Sequence, residues 1–462
     1  MSTMAGGHVG VIDIGKTNAK VALVDLDNLQ EIGVLTMPNA VRQDGPYPHF
    51  DTEALWDFML GGLAELHRRH RIDALTVTAH ASAAALLDGS GALVLPVLDY
   101  EHDGPDRLAE AYDALRPGFA ETGSPRLAGG LNLGAQLFWQ LRTWPDRADR
   151  IAAVVTYPQY WVWRLTGRLA TEVTYLGCHT DLWAPWERRF SPLVDRLGLR
   201  EKMAPVRMPT DLIGAVSAET AARTGLGAGT AVYCGIHDSN ASLYPHLLRR
   251  QAPFTVVSTG TWVIAMAIGG HPAELDPARD TLINVNAFGD PVPSARFMGG
   301  REFEIVCKGH APASSERDVL QVLDRAILLL PGVESRSGPF QGRAAAWSTD
   351  PASLSDGERH VALSFYLALM TGVCTGMIGA EGPVITEGPF SRNRLYLEML
   401  ASALNRPVAG AGDSATGTSI GAALLTGRRP ERPEAAEAGM ILPDRRLQDY
   451  ATTWRERLRA ES

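Results

Sequence analysis

The stretch "GVIDIGKTNAKVALVD", residues 10–25, allows two interpretations that lead to different architectures. Positions 10 and 15–17 satisfy the pattern G-x-x-x-x-G-K-[ST] of a P-loop, in which a strand, a phosphate-binding loop and a helix follow one another. The flanks favour a β-hairpin, since "VIDI" is an apolar, β-branched run and "NAKVALVDLDN" is a second strand-like run that ends in a turn. We therefore predict a hairpin with Gly15 at its tip and Asp13 near the end of its first strand.

The composition is that of an ordinary globular protein. The 462 residues suffice for two or three domains, and a net charge of −9 argues against binding to nucleic acid or to an anionic membrane surface. Four scattered cysteines and an N-terminus without a basic, apolar leader predict a reduced, cytoplasmic protein without structural zinc. The uncharged segment 361–380 contains Ser, Thr and Gly, and we expect a buried core helix there and no membrane span.

Strand-like and helical patterns alternate along the first half of the chain, which predicts an α/β fold. Near residue 229 a new set begins with "GTAVYCGIHDSNAS", which we interpret as a strand and a glycine-bearing loop. The hairpin-like run "VVSTGTWVIAMAIG" then repeats the opening "VIDIGKTNAKVALV", with Ser258 opposite Asp13 and Gly260 opposite Gly15. The repeat predicts a duplicated domain with a boundary at 243–251. A charged, proline-containing loop is expected at 428–439.

Four sequence blocks, taken in order and spacing, resemble the motifs of the FGGY carbohydrate kinases, and the resemblance spans nearly the whole chain. "DIGKTNAKVALVD" is similar to the first phosphate motif of that family, D-x-G-x-[ST]-[NS]-x-[KR], and "VVSTGTW" is similar to the second. "CGIHDSNAS" resembles the block that carries the catalytic base. "VITEGPFSRNRLYLEMLASALNRPV" followed by "GTSIGAALL" resembles the adenosine block.

The resemblance implies duplicated actin/hexokinase-like (ribonuclease H-like) α/β domains that flank a deep cleft. It places the sugar on an N-terminal domain, residues 1–245, and the nucleotide on a C-terminal domain, residues 246–462. It also implies ATP-dependent phosphorylation of a sugar hydroxyl with Mg²⁺. The partners are then the small-molecule sugar and ATP, and a homodimer stays open.

The same resemblance assigns roles to individual residues. Asp238 is expected to be the general base and Asp13 to hold Mg²⁺ through water. The expected ATP-binding residues are Gly15, Lys16, Thr17, Asn18, Thr259, Gly260, Thr261, Gly388, Pro389 and Asn393. The expected sugar-binding residues are His80, Ser82, Tyr100, Glu101, His237 and Asp238 itself.

Two departures from the family pattern bear on the substrates. Glu387, Gly388 and Pro389 stand where the family usually has three glycines, so the contacts to adenine are expected to differ. Ala83 stands where L-fuculose and L-rhamnulose kinases typically carry an Asp. The histidine before the catalytic Asp, the "GKTNAK" hairpin and the "SRN" triplet resemble those two kinases most, so a ketose is the expected acceptor. A pentulose or a polyol stays open.

Plainer structural roles also fit several of these residues. Asp13 could merely end a strand, Asp238 could start an Asx turn, Lys16 could be a solvated lysine, and His237 could be a loop histidine. "LDYEHD", 98–103, could be an acidic surface loop and not a sugar loop.

Further alternatives concern a second glycine-rich segment and the class of protein. "MGGREFE", 298–304, could begin a helix that faces a phosphate through Arg301, or could be an ordinary helix entry. At the level of the whole protein, a P-loop NTPase and a non-catalytic sensor of sugar or nucleotide are the alternatives to a kinase.

Overall fold

The computed structural model describes residues 7–308, 313–410, 417–427 and 439–460. Its strands are β1 (His8–Ile14), β2 (Asn18–Asp25), β3 (Gln30–Pro38), β4 (Val41–Arg42), β5 (His49–Phe50), β6 (Ala74–Ala79), β7 (Ala84–Leu87), β8 (Leu93–Leu95), β9 (Ala153–Thr156), β10 (Thr171–Glu172), β11 (Trp183–Ala184), β12 (Arg189–Phe190), β13 (Val206–Arg207), β14 (Leu212–Ala215), β15 (Ala231–Tyr233), β16 (Ile236–His237), β17 (Phe254–Thr259), β18 (Val263–Ile268), β19 (Thr281–Val285), β20 (Pro291–Phe297), β21 (Leu329–Leu330), β22 (Ala346–Trp347), β23 (Val384–Glu387) and β24 (Val408–Gly410).

The α-helices of the described residues are α1 (Thr52–Arg69), α2 (Ala109–Asp113), α3 (Phe119–Thr122), α4 (Leu133–Thr143), α5 (Pro145–Ala148), α6 (Tyr157–Thr166), α7 (Val173–Leu176), α8 (Pro192–Arg196), α9 (Ala218–Thr224), α10 (Asp238–Arg249), α11 (Gly299–Cys307), α12 (Glu316–Asp324), α13 (Asp356–Met377), α14 (Arg394–Leu404), α15 (Gly417–Leu424) and α16 (Arg445–Ala460). The loop expected at 428–439 lies, except for its last residue, outside the described residues.

The chain divides into two compact units. The first comprises Met1–Arg249, Ile283–Pro291 and Thr416–Glu431, and the second comprises the remaining segments, which begin at Arg250. Each unit has its own sheet and its own hydrophobic core. The assignment of the sugar to residues 1–245 and of the nucleotide to residues 246–462 stays a prediction.

The first unit is built on a seven-stranded sheet in the order β14-β15-β6-β1-β2-β3, with β16 also paired to β6. Strands β1 and β2 form the predicted antiparallel hairpin, with Asp13 opposite Lys20 and Ile14 opposite Ala19. The chain returns as a strand where a P-loop would begin a helix, so the P-loop interpretation is wrong. Gly10 lies inside β1, and a Cβ at this position would stand 2.7 Å from Leu75. Glycine at this position leaves room for the Leu75 side chain of the neighbouring strand β6.

The second unit is built on a six-stranded sheet in the order β19-β20-β18-β17-β23-β24. Its hairpin β17–β18 matches β1–β2, and β17 runs parallel to β23 as β1 runs parallel to β6. In both sheets a further parallel strand follows on that side and a further antiparallel strand on the other. The succession of strand directions is therefore repeated, and the predicted duplicated α/β fold is confirmed.

Both faces of the first sheet are covered by apolar clusters. Alternate residues of β1 point to opposite faces and contribute to both clusters. Ile12 and Ile14 belong to the main core of the unit, and Val9 and Val11 belong to a second cluster that includes Ala241 and Ala422. The second cluster packs helices α10 and α15 against the sheet. The strand that ends beside the site is thus held rigidly from both sides.

The apolar segment 361–380 lies mostly in helix α13. This is one described helix that is long and apolar enough to cross a membrane, and 72% of its most apolar stretch is buried inside the protein. Its side chains contribute to the core of the second unit. The expectation of a buried core helix is confirmed.

The "HDSNAS" segment differs from the sequence-based expectation. We expected a loop, but helix α10 begins directly at Asp238 and continues to Arg249. The carboxylate thus lies at a helix N-terminus, where the unpaired backbone N–H groups and the helix dipole favour negative charge. A lone "GIHD" gives no hydrophobic periodicity from which this helix start could be predicted.

Replacing Gly421 by Ala tests how tightly the helix that begins at Asp238 is held. A Cβ at Gly421 of α15 would lie 1.7 Å from the carbonyl oxygen of Ala241 in α10, so one helix must move. We expect Gly421→Ala to lower the free energy of unfolding by about 1–3 kcal/mol, measured by urea denaturation.

The matched control is Gly61→Ala in helix α1, where a Cβ meets nothing within 4 Å. The gain in helix propensity should make Gly61→Ala neutral or more stable by up to about 1 kcal/mol. Equal stability of the two variants would contradict the close approach of α10 and α15.

Candidate active site

The site of the first unit lies where three parallel strands end at the same edge of the sheet. The register aligns Ile14 of β1 with Ala79 of β6, and Ala79 with His237 of β16. The residues that follow these three positions are Gly15, His80 and Asp238. Ligands of α/β proteins commonly bind at the carboxyl ends of such strands. The structure therefore brings the predicted hairpin tip, a predicted sugar contact and the predicted base to one edge.

Asp13 lies one residue before the end of β1 and is largely buried, with 16% of its side chain exposed. Its Oδ2 lies 3.5 Å from Nζ of Lys20, which also donates a hydrogen bond to Glu31 Oε1 at 3.1 Å. Burial raises the pKa of Asp13 to about 6, Lys20 opposes this rise, and the charge of Asp238 adds to it. The carboxylate is thus only partly compensated by protein charges.

Asp238 is held through one of its two carboxylate oxygens. Oδ1 lies 3.0 Å from Nε2 of His237 and accepts a hydrogen bond from the backbone N–H of Ser239 at 2.6 Å. One third of the side chain is exposed. Burial would raise the pKa of Asp238, but the charge of His237 and its hydrogen bond outweigh this effect and lower it. The carboxylate is therefore ionised at neutral pH, and its orientation is fixed.

His237 was expected to contact the sugar, but its ring is buried beside Asp238. Burial lowers the pKa of His237, while Cys178 and Asp238 raise it, and the net shift is upward. The Sγ atom of Cys178 lies 3.9 Å from Nε2, and the ring stands edge-on to Tyr175. In this arrangement His237 positions the Asp238 carboxylate.

The buried carboxylate of Glu172 is linked to His237 through Thr174. Glu172 accepts hydrogen bonds from the Thr174 hydroxyl at 2.6 Å and from two backbone N–H groups at the start of α7. The Thr174 hydroxyl oxygen in turn accepts a hydrogen bond from the backbone N–H of His237 at 3.2 Å. Burial raises the pKa of Glu172 to about 7. The chain from Glu172 through Thr174 to His237 fixes the backbone that precedes the base.

His80 follows β6 and is buried among the rings of Phe50, Tyr100 and Tyr157. Its Nδ1 lies 2.7 Å from the Ala81 carbonyl oxygen, which requires that Nδ1 carry the proton. Its Nε2 is buried and has no hydrogen-bond partner among the described residues. Burial lowers the pKa of His80 to about 4, so the ring is neutral and Nε2 can accept a hydrogen bond.

The other predicted sugar contacts have different surroundings. The Ser82 hydroxyl donates to the Leu131 carbonyl oxygen at 2.7 Å, and Ser82 adopts a positive φ of 63°. Its side chain is thus engaged in fixing the loop after β6. The rings of Tyr100 and His80 meet edge to face, whereas Glu101 is 67% exposed. Ala83, which departs from the family pattern, has a buried side chain. Its backbone N–H donates to the Tyr175 hydroxyl, and that hydroxyl donates to its carbonyl oxygen.

The tip of the first hairpin contains the predicted phosphate ligands. The backbone N–H of Gly15 donates to the Asn18 carbonyl oxygen at 2.9 Å, and Thr17 and Asn18 are exposed. Asn39 fixes the tip through two hydrogen bonds. Its side chain donates to the Gly15 carbonyl oxygen, and its backbone N–H donates to the Thr17 carbonyl oxygen. The Lys16 ammonium forms ion pairs with Asp99 and Glu101. Lys16 is therefore not a solvated lysine.

The tip of the second hairpin is built in the second unit. Gly260 and Thr261 are exposed, and a Cβ at Gly300 would lie 2.1 Å from the Gly260 carbonyl oxygen. Helix α11 therefore begins directly against this tip, and a phosphate-facing role of the "MGGREFE" segment stays a prediction. The Arg301 side chain is half exposed and lies 3.5 Å from Glu304.

Gly388 lies beside the end of β17. The Thr259 hydroxyl donates to the Glu387 carbonyl oxygen at 2.5 Å, and a Cβ at Gly388 would lie 1.9 Å from the Thr259 carbonyl oxygen. Glycine is required here by this contact and by a φ of 79°. Pro389 is exposed, whereas Asn393 caps helix α14 and donates to the Ser364 hydroxyl at 3.0 Å. The Asn393 side chain is engaged in these structural bonds.

Several residues of the site were missed by the sequence analysis. Asn39 and Thr174 contact the predicted site residues Gly15 and His237 but lie far from them in the chain, and Glu172 holds Thr174. Asp99, which pairs with Lys16, lies in the segment 98–103 but was not singled out there. Lys20 occupies the [KR] position of the first motif and could have been identified from it. Asn39, Glu172 and Thr174 carry no local signal, because only the fold brings them to the site.

Comparison with known proteins identifies the class to which this architecture belongs. Residues 8–244 match the family described as "FGGY family of carbohydrate kinases, N-terminal domain", and residues 251–435 match "Carbohydrate kinase FGGY, C-terminal domain". The chain belongs to the FGGY family of carbohydrate kinases. Its duplicated fold is the actin-like fold of that family.

Individual relatives agree with this class. The crystal structure of a carbohydrate kinase from Novosphingobium aromaticivorans is 35% identical, with a TM-score of 0.89 over 97% of this chain and 100% of that chain. An L-fuculokinase from Salmonella typhi is 27% identical over 269 residues, and a probable L-xylulose kinase from Pasteurella multocida is 25% identical over 276 residues. The matches to these two curated relatives each cover 56% of both chains, so the chain spans about half the length of the curated relatives it matches.

The raised pKa of Asp13 predicts a pH-dependent cost in stability. Because the carboxyl group binds its proton more tightly when folded, with a pKa of about 6 against 3.8, stability should fall as pH rises from 3.8 to 6. Above pH 6, Asp13→Asn should be more stable than the wild type by about 1–3 kcal/mol without divalent cations, and the difference should shrink toward pH 4.

Thermal unfolding between pH 4 and pH 8 with a chelator present measures this difference. Asp57→Asn is the matched control, since Asp57 is 72% exposed on α1. A constant difference between Asp13→Asn and the wild type across that range would rule out the raised pKa.

Proposed function

We propose that this protein is an ATP-dependent carbohydrate kinase in which Asp238 accepts the proton of the attacking sugar hydroxyl. The observation that carries the proposal is the fixed Asp238 carboxylate, whose Oδ1 is bound by His237 and Ser239. Its other oxygen, Oδ2, is then available to the acceptor. Membership of the FGGY family supports the same activity.

In the proposed reaction the acceptor oxygen forms a bond to the γ-phosphorus of ATP while the bond to the β-phosphate oxygen breaks. The products are a sugar phosphate and ADP, and the hydroxyl proton passes to Asp238. Phosphoryl transfer has a loose transition state, so the base must be positioned well but need not be strong. The lowered pKa of Asp238 is compatible with this task, because the group stays ionised and receives the proton late.

Asp13 is the residue that we propose for Mg²⁺. Magnesium keeps several of its waters and binds through few carboxylates, and no group of three or more His, Cys, Asp or Glu among the described residues could form a protein cage for a metal. The buried Asp13, whose charge Lys20 compensates only in part, fits such a water-mediated contact. Bound there, the ion would neutralise charge on the transferred phosphoryl group.

The backbones of the two hairpin tips are the phosphate-binding elements that we propose. Gly15 and Gly260 allow the backbone to approach a ligand closely, and Thr17 and Thr261 place exposed hydroxyls beside them. His80 is the proposed sugar contact, because its buried Nε2 can accept a hydroxyl proton in a hydrogen bond. Gly388 and Pro389 are proposed to lie on the nucleotide side.

A ketose such as L-fuculose or L-rhamnulose is the acceptor class that we propose. The resemblance to L-fuculose kinases and the matched L-fuculokinase support a deoxyketose, whereas the matched probable L-xylulose kinase supports a pentulose. Ala83 removes a carboxylate from the sugar side, so hydroxyl recognition there must come from other groups. A panel of ketohexoses, deoxyketoses, pentuloses and polyols covers these alternatives.

The decisive experiment is sugar-dependent ADP release over that panel with Mg²⁺ and ATP. The wild type should phosphorylate at least one ketose, and Asp238→Asn should lower kcat for it by about 10³-fold, because the base is lost. Asp238→Asn should still bind a non-hydrolysable ATP analogue, which isothermal titration calorimetry measures.

Two outcomes would overturn the proposal. Near-normal turnover by Asp238→Asn would remove Asp238 from the role of base. Binding of the ATP analogue without turnover of any sugar in the panel would favour a non-catalytic sensor.

A further inference from the structure

The Lys16 ammonium is directed to the loop after β8, although its sequence motif predicts a phosphate ligand. It forms ion pairs with Asp99 and with Glu101, whose Oε2 lies 3.3 Å away. It also lies 5.3 Å from the ring centre of Phe50 and 5.2 Å from that of Tyr100, within the range of cation–π attraction. All four partners lie in the first unit, and Tyr100 and Glu101 are among its predicted sugar contacts.

The loop that receives Lys16 is itself fixed. The Asp99 carboxylate accepts a hydrogen bond from the Glu101 backbone N–H, and the Asp99 backbone N–H donates to the Pro48 carbonyl oxygen. The Tyr100 carbonyl oxygen accepts from the Gly130 backbone N–H at 2.9 Å. Asp99 therefore presents its carboxylate to Lys16 from a turn that is held on two sides.

Burial makes the ion pair costly to break. Only 18% of the Lys16 side chain and 9% of the Asp99 side chain are exposed. If Lys16 moved to a phosphate, Asp99 would be left as a buried, unpaired charge, which is far more unfavourable than breaking a surface pair. Glu101 is mostly exposed and cannot replace Lys16 as a partner, because it carries the same charge as Asp99.

We propose that Lys16 and Asp99 form a positioning pair of the acceptor site, which ties the first hairpin tip to the side chains of Tyr100 and His80. Lys16 in this role is not a phosphate ligand, and its charge is compensated by carboxylates and is not offered to the substrate. The proposal rests on the proposed kinase function and adds to it that the acceptor is an uncharged polyhydroxy compound and not a sugar acid.

The charge states of the residues at the proposed site support an uncharged acceptor. Lys20, the other lysine of the hairpin, is also paired, with Asp13 and Glu31. His80 is neutral, since burial lowers its pKa to about 4. Neither hairpin lysine is thus left free for an acceptor carboxylate, and Asp13 and Asp238 would repel one.

The first test compares Lys16→Met and Asp99→Asn in binding and turnover. Both variants should bind a non-hydrolysable ATP analogue with a Kd within about twofold of the wild type. Both should raise KM for the best acceptor by about tenfold, and the double variant should be no worse than the worse single variant, because the two residues act as a pair.

Lys202→Met is the matched control, because Lys202 donates to the Ala148 carbonyl oxygen elsewhere in the same unit. It should leave both constants unchanged. Thermal unfolding of each variant separates a general loss of stability from the selective change in KM. A tenfold weaker Kd for the ATP analogue in Lys16→Met, with Asp99→Asn unaffected, would overturn the proposal and return Lys16 to the phosphate.

The second test concerns the class of acceptor. The wild type should turn over its ketose at least 100-fold more efficiently, as kcat/KM, than the corresponding aldonate. Asp99→Asn, which leaves the Lys16 ammonium paired only with the exposed Glu101, should narrow this ratio by about tenfold. Efficient phosphorylation of an aldonate by the wild type would refute the uncharged acceptor.

The outcomes separate this proposal from the proposed function. If the wild type phosphorylates no compound of either kind, the kinase proposal fails. Binding of the ATP analogue by Lys16→Met then still decides whether Lys16 is a phosphate ligand.

Discussion

The parallel register of β1, β6 and β16 is the constraint on which the site depends. It aligns Ile14, Ala79 and His237 across three strands. Because these three residues are aligned at the ends of parallel strands, the residues that follow them, Gly15, His80 and Asp238, lie at the same edge of the sheet. A shift of one residue in any of these strands would turn its side chains to the opposite face and disperse the site.

The interior of the first unit keeps this register. Ile12 and Ile14 pack on one face of the sheet, and Val9 and Val11 pack on the other. On the second face, helix α15 approaches α10 so closely that only glycine fits at position 421. The helix whose first residue is Asp238 is therefore positioned by the core and not by polar contacts alone.

The site concentrates negative charge and compensates it locally. Asp13 lies beside Lys20, Asp238 beside His237, and Asp99 beside Lys16. These pairs differ in closeness, from the tight contact of Lys16 to the 3.5 Å separation at Asp13. Asp13, which has the most distant charged partner, is the carboxylate that we propose for Mg²⁺. Lys16, which has the closest, is the lysine that we do not assign as a phosphate ligand.

The hairpin and its repeat follow from local features of the sequence. The apolar, β-branched runs around Gly15 and Gly260 predict strand–turn–strand, and the order of four motifs points to the family. These features are local, since strand propensity and turn chemistry are set by neighbouring residues. The motifs predicted that Asp13 and Asp238 belong to one site. The aligned ends of β1, β6 and β16 explain this, because they bring both residues to the same edge of the sheet.

The contacts of the individual side chains depend on the three-dimensional fold and could not be predicted from local sequence. Lys16 lies within the phosphate motif in sequence but pairs with Asp99, which is 83 residues away. His237 turns to Asp238, Ser82 to Leu131, and Asn393 caps a helix. Long-range pairs leave no trace in local periodicity, because the energy of burying a charge depends on which distant residue the fold places beside it.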